Sequence, residues 1–452
     1  MKLTEASPPA CARVKPRCAH FGVCGGCDTQ DVGYADQRRL KRERLVAVLD
    51  GLVSAARIAE CLDVRPATGA SASGAEAPWR FRHKVHFVFG EERGRLLLAH
   101  YARGGRHLVF VRECPAHADE GNRLAEVLRE VLESSGLRAH PHGPLRHVIV
   151  RVFRAGTPPL VTLVLSADEP RRLRRAIGLF VARAGGRVSV SVSVNRADTP
   201  YLLGRDTRHV TGPRRGIERI GQVEYLVSAS SFFQTNVDGA DALVRWLLDQ
   251  IQRRGGRGWQ VVDLYAGVGL FALPLAWAGH RVVAVEENPG AVVDGLAAAR
   301  RLGLSAARCR FVQAPVRRVD EWARHARPPV DLLIVDPPRE GVGAALLAEV
   351  LAVLSPRHVA YVSCDPAGLA RDLTAIVSAR ATPAYAVDAV QPVDMFPHTA
   401  HLETLVWAGT TGTTGTTGTT GTTGTAGTTG TAGTTGTRRR ASPTPAQTRD
   451  SG

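Results

Sequence analysis

Cys364 ends the run His358-Val359-Ala360-Tyr361-Val362-Ser363 and precedes Asp365-Pro366, so it sits where a short strand gives way to a loop. An ionised thiol at such a point is a candidate covalent nucleophile, whereas a thiol without supporting residues is a small buried hydrophobe. Support comes from Asp263-Leu264-Tyr265-Ala266-Gly267-Val268-Gly269-Leu270-Phe271-Ala272. There Gly267 and Gly269 follow a strand and open a helix in the G-x-G-x-x-[GA] manner that lets backbone approach a nucleotide. Glu286 lies 23 residues after Asp263, at the end of the next strand, where a carboxylate accepts from both ribose hydroxyls. Dinucleotide enzymes and S-adenosylmethionine enzymes share these marks. Asp336-Pro337-Pro338-Arg339 ends a later strand on the ligand-binding side of such a sheet, where the prolines fix the backbone and aim oxygens into the pocket. Nucleic-acid methyltransferases hold a target base there, which disfavours a dehydrogenase.

A second constellation, Cys18-x5-Cys24-Gly25-Gly26-Cys27, belongs to a set of eight unevenly spaced cysteines that points to metal binding or catalysis before disulfides. Cys11, Cys61 and Cys309 carry no motif and read as ordinary thiols. His398 and His401 have no partner ligands at usable spacing. The spacing of the cluster is not the CxxxCxxC of a radical enzyme.

Three structured parts must position these residues. Residues 1–63 hold the cysteine cluster and a basic helix from about Tyr34 to Leu52, with Leu40, Leu45 and Leu49 on one face and Arg38, Arg39, Lys41, Arg42 and Arg44 elsewhere. Residues 64–226 alternate apolar with polar residues, as in Lys84-Val85-His86-Phe87-Val88-Phe89, and predict an α+β RNA-binding domain around an antiparallel sheet, with helices near Asn122–Glu133 and Pro170–Ala184. The second helix carries Arg171, Arg172, Arg174 and Arg175, a basic edge suited to a nucleic-acid backbone. Residues 227–408 repeat strand, turn and helix around the β-branched runs 260–264, 281–285, 330–335 and 358–362, which predicts a doubly wound α/β domain of Rossmann type. From 409 the chain holds only Gly, Thr and Ala as far as Thr437, then Arg438-Arg439-Arg440; no core can be built from such residues, and 409–452 is expected to be disordered.

Lys and Arg outnumber Asp and Glu by 58 to 42, a net charge of +16, which favours a polyanionic partner. No apolar run is long enough to span a bilayer, and the first residues lack the pattern of a signal peptide. A cytoplasmic, monomeric protein without membrane contact is expected.

Over Cys18 to Trp407 the chain resembles the uracil-C5 RNA methyltransferase family, in its iron-sulfur-containing branch. The motifs are Cys18-x5-Cys24-Gly-Gly-Cys27, Trp79-Arg80-Phe81-Arg82-His83-Lys84, Ser231-Phe232-Phe233-Gln234-Thr235-Asn236, the Asp263–Gly269 turn, Asp336-Pro337-Pro338-Arg339, Ser363-Cys364-Asp365-Pro366 and Met395-Phe396-Pro397-His398-Thr399-Ala400-His401-Leu402-Glu403. The resemblance implies that Gln234, Tyr265, Glu286 and Asp336 contact S-adenosylmethionine, that Cys364 is the nucleophile and that Glu403 accepts a proton. It makes Cys114 the fourth ligand beside Cys18, Cys24 and Cys27, and favours a [4Fe-4S] cluster over zinc, which the spacing alone leaves open. Its substrates are large ribosomal RNA, which the cluster spacing favours, or transfer RNA. Cytosine-C5 methylation lacks its usual Pro-Cys dipeptide, and a non-catalytic RNA chaperone would have no use for Cys364 and Glu403.

The chain departs from the family in four places: Asp365 replaces Asn, Ala266 replaces Cys, and Leu270 and Pro315 stand where some members place a cofactor-contacting Asn. Asp365, if charged and close, is expected to raise the pKa of Cys364. The N-terminal RNA-binding barrel of many members is expected to be missing, which would leave RNA selection to the central domain and the basic helices.

Overall fold

Alternation in Lys84-Val85-His86-Phe87 becomes strand β1 (Lys84–Glu92), whose Val85, Phe87 and Phe89 point into a core while Lys84 and His86 point away from it. The computed structural model describes residues 11–64, 78–168, 170–196, 203–204, 207–378 and 384–411. β1 is the third strand in the order β3-β2-β1-β4-β5-β6-β7, completed by β2 (Arg95–Tyr101), β3 (Leu108–Phe110), β4 (Leu145–Arg151), β5 (Leu160–Leu165), β6 (Ser189–Val194) and β7 (Thr207–Thr211). All neighbours run antiparallel except β5 and β6, which are parallel and joined by a helical crossover. Helices α2 (Asp119–Ser134) and α3 (Pro170–Arg183) cover the apolar face through Leu124, Leu128, Leu132, Leu173, Ile177 and Phe180. The opposite face of β1 carries Lys84, His86 and the buried Val88.

The second sheet has the order β12-β11-β10-β13-β14-β16-β15. Strands β10 (Gln260–Leu264), β11 (Arg281–Glu286), β12 (Cys309–Gln313), β13 (Leu332–Val335) and β14 (His358–Ser363) are parallel. The last two, β15 (Tyr385–Val393) and β16 (Glu403–Thr410), form an antiparallel pair, and β16 runs antiparallel to β14. Apolar cores lie on both faces, as the β-branched runs require. They are closed by α4 (Val237–Arg253), α5 (Ala272–Trp277), α6 (Pro289–Arg301), α7 (Val319–Trp322), α8 (Ala344–Leu354) and α9 (Pro366–Val377). This Rossmann-like sheet is the expected one.

Packing redraws three details. The hairpin of β8 (Arg215–Ile220) and β9 (Val223–Ser228) straddles the expected boundary at 226, and its Ile220, Val223, Tyr225 and Val227 pack together with Leu243, Leu247 and Phe271 of the second sheet's core. Strand β16 continues through Thr410, two residues into the stretch read as a tail, because Gly409 still pairs with Ala386 and His358. The rest of that stretch, from 412, lies outside the described residues. Helix α1 (Tyr34–Val48) buries Tyr34, Gln37, Lys41 and Leu45, so Lys41 belongs to the inward face and not to the basic run. Among the described residues no helix is long and apolar enough to cross a membrane.

Candidate active site

The turn after β10 is built by backbone conformation. Tyr265 adopts φ 62°, a left-handed geometry unusual for a side-chain-bearing residue, and Gly267 (φ 56°) and Gly269 (φ 93°) follow it. At Gly269 a Cβ would also come within 2.8 Å of the Phe311 ring, so shape and conformation both call for glycine. The Gly267 N–H donates to Glu286 Oε2 at 2.8 Å and the Asn288 N–H to Oε1 at 2.7 Å, which fixes the carboxylate at the end of β11 against the turn. Asn288 then caps α6 by accepting from the Gly290 and Ala291 N–H groups. Leu270 sits in the apolar core, where its side chain offers nothing polar to a ligand.

The β13 and β14 ends open into a cavity of about 710 Å³. Gln234, Tyr265, Asp336, Cys364 and Glu403, five residues spread over 170 positions of sequence, all line it. Register explains the central pair. The β14–β16 ladder runs to Ser363 opposite Thr404, and one further step puts Cys364 across from Glu403. Glu403 and Asp336 are both buried carboxyls: burial pushes Asp336 up to about 7, and burial together with the Asp336 charge holds Glu403 well above the usual carboxylate range. The Cys364 thiol is pushed up to about 11, first by burial and then by Glu403, with Asp336 adding to the shift and the Arg339 guanidinium opposing it.

Asp365 is not among the causes of that shift, contrary to the sequence expectation. Its Oδ2 accepts from the Gly368 N–H at 2.7 Å and caps α9, and its backbone is tied to the Ser363 hydroxyl. Asn and Asp serve equally as such caps, so the replacement conserves the turn that presents the thiol.

The cavity also contains residues that carried no assigned role in the sequence: Arg82, Lys84, His86, Phe232, Arg339 and His401. Lys84 is pushed down to about 8 by burial and then by Arg151, and His86 down to about 3 by burial and its neighbours His147 and His100. Phe232 is 60% exposed despite its size. The signal for Lys84 and His86 was their alternation with Val85 and Phe87, which marks them as the polar face of a strand. The cavity walls thus combine cations, an exposed aromatic ring and two buried acids.

Cys18, Cys24, Cys27 and Cys114 converge on one small cavity with His20, Gln30, Arg82 and His100. All are free thiols. Cys24 Sγ lies 3.5 Å from His100 Nδ1 and accepts from the Gly26 N–H, and the Cys114 backbone is held by Asn122. Among the described residues no group of three or more His, Cys, Asp or Glu side chains stands in the arrangement that would hold a metal ion. Cys61 and Cys309 are buried thiols pushed up to about 12 by burial.

No protein-family model matches the chain. A protein of Thermosynechococcus vestitus named as an uncharacterized RNA methyltransferase is 34% identical over 91% of this chain and 87% of its own length. One of the same description from Halalkalibacterium halodurans is 31% identical over 90% and 85%. Among solved structures, the tRNA (uracil-54, C5)-methyltransferase of Pyrococcus abyssi in complex with S-adenosyl-L-homocysteine superposes with a TM-score of 0.66 at 26% identity, covering 90% of this chain and 87% of that one. Sheet, nucleotide turn and relatives together define an S-adenosylmethionine-dependent RNA methyltransferase. Within that class, the chain belongs to the uracil-C5 RNA methyltransferase family.

Proposed function

We propose that this enzyme methylates C5 of a specific uridine in RNA, with Cys364 as nucleophile and Glu403 as proton acceptor. The observation that carries the reading is the placement of Cys364 opposite Glu403 in one cavity with Asp336, Gln234 and Tyr265. The residues present suit S-adenosylmethionine: Glu286 faces the glycine turn where a ribose would lie, and Gln234, Tyr265 and Asp336 line the adjoining cavity. When bound, S-adenosylmethionine supplies an electrophilic methyl group.

The chain's own residues account for the rest. The Cys364 thiolate adds to uracil C6, forming a C–S bond and placing electron density on C5, which takes the methyl group. Glu403 then removes the C5 proton; the electron pair re-forms the C5–C6 double bond as the C6–S bond breaks and the thiolate leaves. Arg82, Lys84 and Arg339 are placed to meet phosphates, and Phe232 to stack on a base flipped out of its helix. Incubating the enzyme with cofactor and RNA tritiated at uridine C5 tests the chemistry, because each methyl incorporated should release one tritium. Methylation with the tritium retained would overturn the mechanism.

Large ribosomal RNA is the substrate that the Cys-x5-Cys-Gly-Gly-Cys spacing supports, and transfer RNA is the second reading, favoured by the structural neighbour's substrate. Mapping 5-methyluridine in both RNAs from a strain lacking the gene separates them. For the four cysteines we propose a [4Fe-4S] cluster as a structural or RNA-positioning element. A cluster spreads its thiolates over four iron atoms, so it does not demand the close ligand set that a single zinc ion needs. Iron and sulfide analysis of anaerobically purified protein checks it; stoichiometric zinc would contradict it.

A further inference from the structure

The loop from Asp394 to Leu402 delivers Glu403 to the cavity, and the amino-terminal part of the chain holds that loop along its length. At its start, Lys41 Nζ pairs with Asp394 Oδ1 at 2.5 Å in a fully buried contact and donates to the Phe396 carbonyl at 3.0 Å. Asn236 Nδ2 donates to the Met395 carbonyl. In the middle is His398, whose φ of 65° is left-handed for a residue with a side chain. Its carbonyl accepts from the Asp28 N–H (2.7 Å) and the Thr29 N–H (3.0 Å), and its own N–H donates to Gln37 Oε1 (2.9 Å). Farther along, the Ala400 N–H donates to Asp28 Oδ2 at 3.2 Å.

The His398 side chain is fixed as firmly as its backbone. The Pro78 carbonyl 3.0 Å from Nε2 can only accept, so Nε2 carries the hydrogen and Nδ1 is left as the acceptor that faces Gln37 Nε2 at 3.5 Å. The ring stacks on Trp79 with centroids 3.9 Å apart. Gln37 is in turn oriented by donating to the Val32 carbonyl. A histidine 1% exposed, in strained backbone and five residues before a buried acid, needs a reason to be there.

We propose that His398, gripped by Gln37 and by the Asp28-Thr29 backbone that follows Cys27, is a positioning residue that aims the Glu403 carboxyl at the C5 proton. This rests on the reading of Glu403 as proton acceptor. Asp394, Phe396 and His398 tether the loop on one side, and β16 pairing holds Glu403 on the other, so the carboxyl is set by a short span pinned at both ends. Nucleophilic addition by Cys364 does not pass through this span, because the thiol is presented by β14 and the α9 cap. The two halves of the reaction therefore respond differently when the grip is loosened.

The experiment compares wild type with Gln37→Leu, His398→Ala, Asp28→Ala, Asp28→Asn and Glu403→Gln, using C5-tritiated uridine RNA and S-adenosylmethionine in single turnover. Covalent protein–RNA adduct and tritium release are read separately. Gln37→Leu and His398→Ala should slow tritium release about 10²-fold, the scale of a small misplacement of a reacting group, while adduct formation changes less than about 3-fold, so that adduct accumulates. Asp28→Ala should give the same signature more weakly, and Asp28→Asn, which keeps an acceptor for Ala400, should restore tritium release. Asp28 is exposed, so this pair carries the test even if a buried variant does not fold. A parallel fall in both readouts, or unchanged tritium release, overturns the positioning role. If Glu403→Gln itself fails to accumulate adduct, the fault lies with the proton-acceptor reading and not with the grip.

Discussion

Replacing Glu403 by Gln should stabilise the protein at alkaline pH while destroying turnover. Asp336 and Glu403 are buried carboxyls whose protonated forms are favoured in the fold. A carboxyl raised in the folded state holds its proton there after the unfolded chain has lost it. The fold therefore loses stability as pH climbs from the unfolded value near 4, and the loss is complete once pH passes the folded value. For Asp336, moving from 3.8 to about 7 by burial corresponds to about 4 kcal/mol at most, since each pKa unit is worth about 1.4 kcal/mol, and the Asp336 charge in turn adds to the rise at Glu403. Removing Asp336 should thus recover roughly 2 kcal/mol at pH 8.5, and removing Glu403 should stabilise in the same direction. The assay is thermal unfolding of wild type, Glu403→Gln and Asp336→Asn at pH 4.5 and 8.5. A melting-temperature gain of a few degrees at pH 8.5 that shrinks toward pH 4.5 is expected. A gain independent of pH, or a loss at pH 8.5, would refute the buried-pair argument.

The same electrostatics govern the thiol. In the ligand-free enzyme at pH 8, Cys364 should alkylate about 10- to 100-fold more slowly than an ordinary thiol, the lower figure allowing for solvent screening at a half-buried site, and Glu403→Gln should shift its alkylation profile to lower pH. Gly269→Ala should weaken S-adenosylhomocysteine binding by calorimetry and cost about 1–3 kcal/mol of stability, because the Cβ meets Phe311 in a backbone conformation that only glycine adopts freely. Arg171→Ala and Arg174→Ala, on the exposed side of α3, should each reduce the salt slope of RNA binding by about one; an unchanged slope would remove that helix from the RNA path.

What was legible in the chain was whatever a local pattern encodes. The parallel strands of the second sheet announced themselves as β-branched runs, and α2 and α3 as apolar periodicity, because the core they face repeats with their own geometry. The glycine turn was readable because Gly267 and Gly269 are demanded by conformation. The Cys364–Glu403 pair was not readable from spacing, since β16 inserts between β14 and β15 and only that register brings two residues 39 positions apart face to face. Family resemblance had to supply it. Asp365 misled because adjacency in sequence was taken for adjacency of charge, whereas its side chain turns to cap α9. Lys41 misled in the same way, as a basic residue in a basic run whose partner, Asp394, lies 353 positions away. The role of His398 was invisible for the same reason: its partners Asp28, Gln37 and Pro78 come from the other end of the chain.

The most direct test of the central claim uses RNA containing 5-fluorouridine. Fluorine at C5 cannot be removed as a proton, so the reaction should stall with the enzyme bound through sulfur to C6. With S-adenosylmethionine present, the wild-type enzyme should give a denaturant-resistant RNA complex whose cross-linked peptide carries the nucleotide on Cys364, and Cys364→Ala should give none. A complex attached to any other residue, or methylation that proceeds without one in Cys364→Ala, would contradict the account.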